Sequence, residues 1–87
     1  MSDAVAERPT DARSLCLYLV RRLVNEPDAV AVREEVGEEG TVLVVSVAPD
    51  DRGKVIGKGG RVVRSLRTVV RTAGVKSGTR ILVEIEE

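Results

Sequence analysis

The stretch that decides the fold is Val55-Ile56-Gly57-Lys58-Gly59-Gly60-Arg61-Val62. It separates two segments with apolar residues at helical spacing: a short one over 50–56, with an aspartate placed to cap its start, and a longer one over 61–73. Glycines allow a ligand backbone to come close, and the start of the second helix offers free N–H groups at the positive end of its dipole. Together with Lys58, these features predict a phosphate-binding loop.

Spacing excludes two of the three phosphate-loop motifs that these glycines could form. Counted from Gly53, an ATP-binding loop needs its second glycine at position 58, which is Lys58. Counted from Gly57, a dinucleotide fingerprint needs a glycine at position 62, which is Val62, and a strand before the loop. The third motif fits, because residues 55–60 resemble the Ile-Gly-X-X-Gly loop of KH domains. That loop clamps about four nucleotides of single-stranded nucleic acid.

The composition is that of one small domain with an aliphatic core. The chain has 87 residues, no histidine, one cysteine and one aromatic residue, Tyr18. A single cysteine, Cys16, forms no internal disulfide, and no export signal or membrane-spanning run is present, so we expect a cytoplasmic protein. Without histidine, paired cysteines or metal-ligand spacing, the sequence predicts no enzyme activity, no metal and no cofactor. Tyr18 is interpreted as a packing residue at the rim of the core and Cys16 as a small core residue.

The charges are segregated along the chain although they sum to a net charge of zero. Basic residues follow one another from Arg52 to Arg80 with no acidic residue between them, whereas the flanking segments are mostly acidic. This pattern favours an anionic partner held at one place, next to the glycines. The alternative is that these arginines and lysines are simply solvated on helix surfaces.

The remaining pattern predicts an α+β domain preceded by a disordered tail over residues 1–10. Leu15, Leu19 and Leu23 repeat at helical spacing behind a capping residue at position 10 or 11. Alternating and nearly continuous runs of valine, separated by glycines, predict an antiparallel hairpin. The predicted order for residues 11–87 is a helix (11–25), two strands (30–36 and 41–48), the two helices around the glycines, a loop (75–79) and a strand (80–86).

This order is similar to that of a minimal type II KH domain, which implies a three-stranded sheet packed on one face by three helices. The chain resembles the KhpA family of small bacterial single-KH RNA-binding proteins most closely in residues 23–28, 47–58, 60–61 and 66–70. Gly59 departs from the family pattern, which has a larger polar residue there, and is expected to make the loop more flexible. The resemblance implies binding of single-stranded RNA without catalysis, as a post-transcriptional regulator or RNA chaperone. It also implies a homodimer, or a heterodimer with a larger KH protein of the Jag family, away from membranes.

The predicted RNA-binding site centres on the glycines and the basic residues around them. Gly57 and Gly60 are expected to supply the unusual backbone angles, and the apolar floor of the groove is expected to come from Ile56, Val63, Val45 and Val47. The predicted site residues are Lys54, Ile56, Gly57, Lys58, Gly59, Gly60, Arg61 and Arg64.

An alternative hypothesis makes the chain a protein-interaction module in which RNA binding is secondary. This hypothesis rests on the number of apolar residues, which is larger than one face of the core can take up. Exposed together, Val42, Val44, Val63 and Leu82 would form a patch that invites a partner.

Overall fold

A computed structural model describes residues 11–87, so the predicted disordered tail over 1–10 lies outside the described residues. Three helices and three strands are present, and the expected order of elements is confirmed. Short 3₁₀ turns occupy Pro27–Ala29, Pro49–Asp51 and Lys58–Gly60. The helices and strands are α1 (Ala12–Leu23), β1 (Ala31–Gly37), β2 (Gly40–Ser46), α2 (Arg52–Ile56), α3 (Arg61–Lys76) and β3 (Ile81–Ile85).

The three strands form one mixed sheet with β2 in the centre. β1 and β2 are antiparallel, and Gly37 lies opposite Gly40 across the two-residue turn, as expected for a hairpin. β3 lies parallel to β2, with Leu43 opposite Val83. Parallel neighbours need a long crossover connection, which α2, the glycines and α3 provide. Both β1 and β3 are therefore edge strands.

The core lies between one face of this sheet and the helices, and aliphatic side chains fill it. At its centre, Val20 of α1, Val55 of α2 and Val70 of α3 are fully buried with Leu43 and Val45 of β2. The α+β architecture of a small KH domain is thus confirmed. Burial of each such side chain contributes roughly 1.5–3 kcal/mol, so a core without phenylalanine or tryptophan can hold this small domain.

α3 is longer than predicted, because Gly74 lies inside the helix instead of ending it. The predicted loop over 75–79 is wrong at its first two residues. Gly74 is buried, and a Cβ atom there would collide with the side chain of Ile81 and the carbonyl oxygen of Thr79. The missing side chain lets α3 approach β3 closely, which outweighs the unfavourable helix propensity of glycine.

Asp51 does not cap α2 with its side chain, so the predicted aspartate cap is wrong. Its carboxylate is almost fully buried and accepts hydrogen bonds from the backbone N–H groups of Asn25 (3.1 Å) and Glu26 (3.0 Å). This contact joins the end of α1 to the start of α2. The predicted cap of α1 is confirmed, since Asp11 accepts a hydrogen bond from the N–H of Ser14 at 2.7 Å.

The predicted patch of four apolar residues is also wrong. Val63 is buried in the helical layer, while Val42 and Leu82 lie side by side in the sheet. Val44 is buried as well, so Leu82 is the member of the four with a largely exposed side chain (52%).

Candidate nucleic-acid interface

Backbone hydrogen bonds close the glycine loop, residues 57–60, between α2 and α3. The N–H of Gly57 donates to the carbonyl of Gly53 (2.8 Å), and the N–H of Gly60 donates to the carbonyl of Gly57 (3.1 Å). Gly57 has a φ of 78°, and a Cβ atom there would collide with Val62 of α3. Gly57 is therefore required both by its backbone angle and by the close packing of the loop on α3.

Gly59 contributes to the turn as well, which differs from the expectation that Gly57 and Gly60 alone supply the unusual angles. Its φ is 64° and that of Gly60 is 76°, and both positions face open space. A side chain at position 59 thus has room, but it must adopt the left-handed backbone region, which aspartate and asparagine tolerate better than other residues.

α3 begins directly after the loop, with Gly60 at its N-cap position and no side-chain hydrogen bond capping it. The 3₁₀ turn takes up the N–H groups of Gly60 and Arg61, which donate to the carbonyls of Gly57 and Lys58. The N–H groups of Lys58 and Gly59 stand at the start of that turn, and the next N–H groups of α3 stand in its first turn, where partners within the helix are lacking. Lys58 is exposed at the tip of the loop. The loop thus presents polarised N–H groups and one cation to solvent, which suits a phosphate group.

A shallow cavity of about 360 Å³ borders the first two turns of α3. Its walls are Arg61, Arg64, Ser65 and Thr68, and both arginines are exposed. The positive surface thus continues from the loop along α3 through the guanidinium groups of Arg61 and Arg64. Ser65 and Thr68 add hydroxyl groups beside them. An anion bound at the loop could continue along this face of the helix.

A groove of about 310 Å³ runs between α3 and the free edge of β3. None of the residues that line this groove was among the predicted site residues. They are Arg67, Arg71, Ile81, Leu82, Val83 and Glu84. The sequence did contain a signal for Arg67 and Arg71. Together with Arg64 they follow each other at helical spacing and share one face of α3. We call these three residues the arginine row.

The predicted groove floor of Ile56, Val63, Val45 and Val47 is wrong for two of its four members. Val45 is completely buried and Val63 nearly so, because β2 is the central strand and the helices cover it. The strand beside the arginine row is β3 instead. Of the predicted floor residues, Ile56 and Val47 are partly exposed.

Arg67 is held against the edge of β3 by a hydrogen bond. Its Nε donates to the backbone carbonyl oxygen of Val83 at 3.2 Å. The carbonyl of Arg80 accepts from Thr41 of β2, and the N–H of Glu86 donates to Val45. Backbone groups alternate in direction along a strand, so those of Val83 point away from β2, into the groove.

The predicted basic residues do not all lie at the same place. Arg61 and Arg64 share the cavity on α3 beside the loop, with Lys58 at the loop tip. Lys54 lies on α2, and its Nζ is 4.0 Å from a carboxylate oxygen of the buried Asp51. Lys54 therefore has a structural anion as its neighbour.

Cys16 agrees with its interpretation as a small core residue, whereas the packing role predicted for Tyr18 is not confirmed, because Tyr18 is not among the residues packed against the core. Burial raises the pKa of the Cys16 thiol to about 11, so it stays protonated and inert at neutral pH. Tyr18 lies partly exposed on α1, where the guanidinium of Arg22 lies 4.2 Å from the centre of its ring. Its ring thus contacts a neighbouring arginine of the same helix.

Two negative findings apply to the chain from residue 11 onward. None of its helices has the length and apolar character needed to cross a membrane. Nor do three or more acidic, cysteine or histidine side chains in this part of the chain gather closely enough to hold a metal ion.

The family comparison matches residues 13–85 to the model of the KhpA/KhpB KH domain. The chain belongs to the KhpA/KhpB family. Its match includes both helices around the loop and all three strands, so the expected resemblance is confirmed over nearly all described residues. The expectation of a binding domain instead of an enzyme is confirmed by the same family and by the names of its members.

Several curated members of the KhpA/KhpB family are similar along almost their full length. RNA-binding protein KhpA of Clostridium acetobutylicum is 48% identical over 73 residues, which cover 84% of this chain and 97% of that protein. RNA-binding protein KhpA of Streptomyces coelicolor is 47% identical, covering 79% and 87% respectively. RNA-binding protein KhpA of Treponema pallidum is 42% identical, covering 87% and 95%.

Solved structures with the same fold include two of Era. An Aquifex aeolicus Era variant bound to GDP·AlF4⁻ superposes with a TM-score of 0.59 at 19% identity, covering 85% of this chain and 29% of that one. Era in complex with MgGDPNP and nucleotides 1506–1542 of 16S ribosomal RNA gives a TM-score of 0.59 at 18% identity, covering 91% and 31%. At these identities the likeness concerns the fold alone.

Proposed function

We propose that this chain is a single-stranded RNA-binding module that holds the sugar-phosphate backbone at the glycine loop. The KhpA relatives are named as RNA-binding proteins, which supports the class of ligand. The observation that carries the proposal is the start of α3. Its N–H groups have no side-chain cap, glycines precede them, and Arg61 and Arg64 border them.

Binding begins with a phosphate at the loop. The N–H groups of Lys58 and Gly59 and the start of α3 donate to its oxygens, while the charges of Lys58 and Arg61 compensate it. The strand then follows the arginine row, and a base enters the groove between α3 and β3. Ile81 and Leu82 supply apolar contact there, and the free edge of β3 supplies hydrogen bonds to base edges.

Phosphate neutralisation makes this binding dependent on salt. Each neutralised phosphate of a single strand contributes about −0.7 to the slope of log K against log salt. Two to four contacts therefore give a slope of roughly −1.5 to −3. Since the groove has no aromatic side chain for stacking, the affinity of one domain is expected to be around micromolar or weaker.

A charge-reversed loop tests the proposal. Lys58→Asp combined with Gly59→Asp places two carboxylates where the phosphate is to bind. RNA affinity should fall on the order of a hundredfold or more, because attraction becomes repulsion in a partly desolvated site. Stability should fall by no more than about 1–2 kcal/mol, since position 59 is open but left-handed. Titration of a labelled RNA decamer and thermal unfolding are measured on the same protein.

Lys76→Asp combined with Gly78→Asp is the matched control. Gly78 also has a positive φ (74°) and open space around it, and the change in charge is the same. This pair lies at the other end of α3, so RNA affinity should change by less than about threefold while the backbone strain is equal. Equal losses of RNA affinity in the two double variants would contradict binding at the glycine loop.

The cellular role that accompanies this activity is post-transcriptional regulation or RNA chaperoning in the cytoplasm, as the family resemblance implies. Weak binding of the sugar-phosphate backbone with modest base specificity suits a protein that binds many different RNAs one after another. Crosslinking to RNA in cells, followed by sequencing of the bound fragments, measures whether many transcripts or a few are engaged.

Assembly is a second proposed function, supported by apolar side chains that remain exposed. A small domain without large aromatic core residues gains stability by covering them. The partner is a second copy of the chain, or a larger KH protein of the Jag family. The largely exposed aliphatic residues of the strands and of α3 are Val36, Val69, Val75 and Leu82.

The homodimer would also bind a long RNA more tightly, because the second loop then binds at a high effective concentration. Sedimentation at several protein concentrations should show dimers. A strict monomer up to about 100 μM would exclude the homodimer and leave the single-domain proposal standing.

A further inference from the structure

Arg67 changes what the edge of β3 offers to a base. An uncapped strand edge presents N–H donors and C=O acceptors in turn. At the centre of this edge, however, the carbonyl oxygen of Val83 already accepts a hydrogen bond from Arg67 Nε. The guanidinium group therefore stands in place of an acceptor. Since a guanidinium has five N–H donors and no acceptor, the edge presents donors at Val83 where it would otherwise present an acceptor.

The geometry of the Arg67 contact leaves the fork of the guanidinium free. Its Nε is directed at Val83, so the two terminal nitrogens remain at the outer end of the side chain. Arg67 is exposed and lines the groove with Ile81, Leu82 and Glu84. The terminal nitrogens can thus donate two parallel hydrogen bonds to a group that carries two neighbouring acceptors.

The same groove is poorly suited to a phosphate at this position. Glu84 is one of the residues that line it and adds a negative charge close by, and the neighbouring residues Ile81, Leu82 and Val83 are apolar. The phosphate-binding features lie instead at the start of α3, about 9 Å away along the helix for six residues of rise. A neutral base with two neighbouring acceptors can accept both hydrogen bonds from the terminal nitrogens of Arg67. Unlike a phosphate, it does not place a second negative charge beside Glu84.

We infer that Arg67 determines base specificity, selecting bases that present two adjacent acceptors, which are guanine and cytosine. Guanine offers N7 and O6, and cytosine offers O2 and N3. In uracil the N3–H donor lies between O2 and O4, and in adenine the amino donor lies between N7 and N1, while N1 and N3 point in diverging directions on either side of C2–H. A bidentate arginine contact discriminates against the wrong base by about fivefold to a hundredfold or more. The inference rests on the proposed RNA binding and deepens it.

The test uses four RNA decamers of uracil that differ only at one central position, which is A, C, G or U. For the unaltered protein, the decamer with G or C should bind about tenfold more tightly than those with A or U. In Arg67→Lys, the positive charge is kept but the fork is lost, so this ratio should fall to about one. If guanine is the preferred base, replacing it by 7-deazaguanine, which lacks the N7 acceptor, should abolish its advantage. If cytosine is the preferred base, the decamer with G should bind no more tightly than the decamers with A or U, and 7-deazaguanine should not change its affinity.

Arg13→Lys is the matched control, because Arg13 Nε makes the same type of hydrogen bond, to the carbonyl of Val32 on β1 at 2.9 Å. The preference should persist in this variant. Equal binding of all four decamers by the unaltered protein overturns the inference, as does an unchanged ratio in Arg67→Lys, since Arg67 then acts on phosphate or not at all. Failure of all four decamers to bind the unaltered protein would overturn the proposed RNA binding as well.

Discussion

The two free edges of the sheet carry the same contact but have different surroundings. On β3, Arg67 Nε donates to the carbonyl of Val83, and on β1, Arg13 Nε donates to the carbonyl of Val32. A charged side chain placed on an edge carbonyl hinders the addition of another strand. Both arginines thus protect an edge, and this role by itself involves no ligand.

The charges around the two edges set them apart. The cleft of about 420 Å³ next to Arg13 lies between the start of α1, β1 and the end of α3, and the acidic residues Asp11 and Glu34 line it. The groove beside β3 is lined by Arg67 and Arg71 and by one acidic residue, Glu84, and the remaining arginines of α3 lie along the same helix. The proposed binding of RNA predicts attraction to the β3 side, where basic residues outnumber acidic ones, and weaker attraction to the cleft lined by Asp11 and Glu34.

The starts of the two long helices also differ, because α1 has an acidic cap and α3 has no side-chain cap. Asp11 occupies the start of α1 and satisfies a free N–H group there, whereas α3 begins after the glycines without a side-chain cap. A capped helix start has less to offer an anion. The comparison teaches that the contact between an arginine and an edge carbonyl does not define the interface. In the proposed interface, the distinguishing features are the helix start without a side-chain cap and the neighbouring charges.

The two edges should differ most in their response to truncation of the two edge arginines in turn. In Arg67→Met and Arg13→Met the aliphatic stem remains, so packing is largely kept. Each variant loses one partly buried hydrogen bond, and stability should fall by about 1 kcal/mol in both. RNA affinity should fall about tenfold or more in Arg67→Met, because a cation and a base contact are lost, and by less than about twofold in Arg13→Met.

Chemical denaturation and titration of a decamer with a central G or C measure both quantities on the same samples. A matching loss of affinity in Arg13→Met would show that the two edges do not differ in function. An unequal loss of stability would show that the two contacts are not equivalent as edge protection.

The local features of both edges could be predicted from the sequence. The hairpin follows from Gly37 and Gly40 between runs of valine, the start of α1 from Asp11, and the glycine loop from its own residues. Each of these signals lies within a few neighbouring residues, where turn chemistry, capping and hydrophobic period act.

The features that distinguish the β3 edge depend on contacts between distant residues, so they could not be predicted. The sequence does not specify that β3 pairs with β2 in parallel, which is what places Val83 beside Arg67. Gly74 gave the local signal of a helix end, and only its packing against Ile81 explains why α3 continues. The buried carboxylate of Asp51 likewise finds its partners 25 and 26 residues away.

The smallest expected effect concerns the cap at the β1 side. The hydrogen bond from the Ser14 N–H holds the pKa of the Asp11 carboxyl group below its ordinary value. A lowered pKa means that the folded protein favours the charged form. The stabilisation is therefore fully present above the ordinary pKa and is lost as pH falls through the lowered pKa of the folded state. Asp11→Ala should cost about 1 kcal/mol of stability at neutral pH and leave RNA affinity unchanged.

Chemical denaturation of the original chain and of Asp11→Ala from about pH 6 to about pH 2 checks this expectation. The difference between their free energies of unfolding should shrink toward zero at the acidic end, because a protonated carboxyl group is a poor cap. Asp50→Ala, at an exposed aspartate of the turn Pro49–Asp51, is the control and should change stability by less than about 0.5 kcal/mol. If Asp11→Ala instead strengthened RNA binding, the start of α1 would be an anion site that its own aspartate blocks. The two helix starts would then differ only in whether a carboxylate already occupies them.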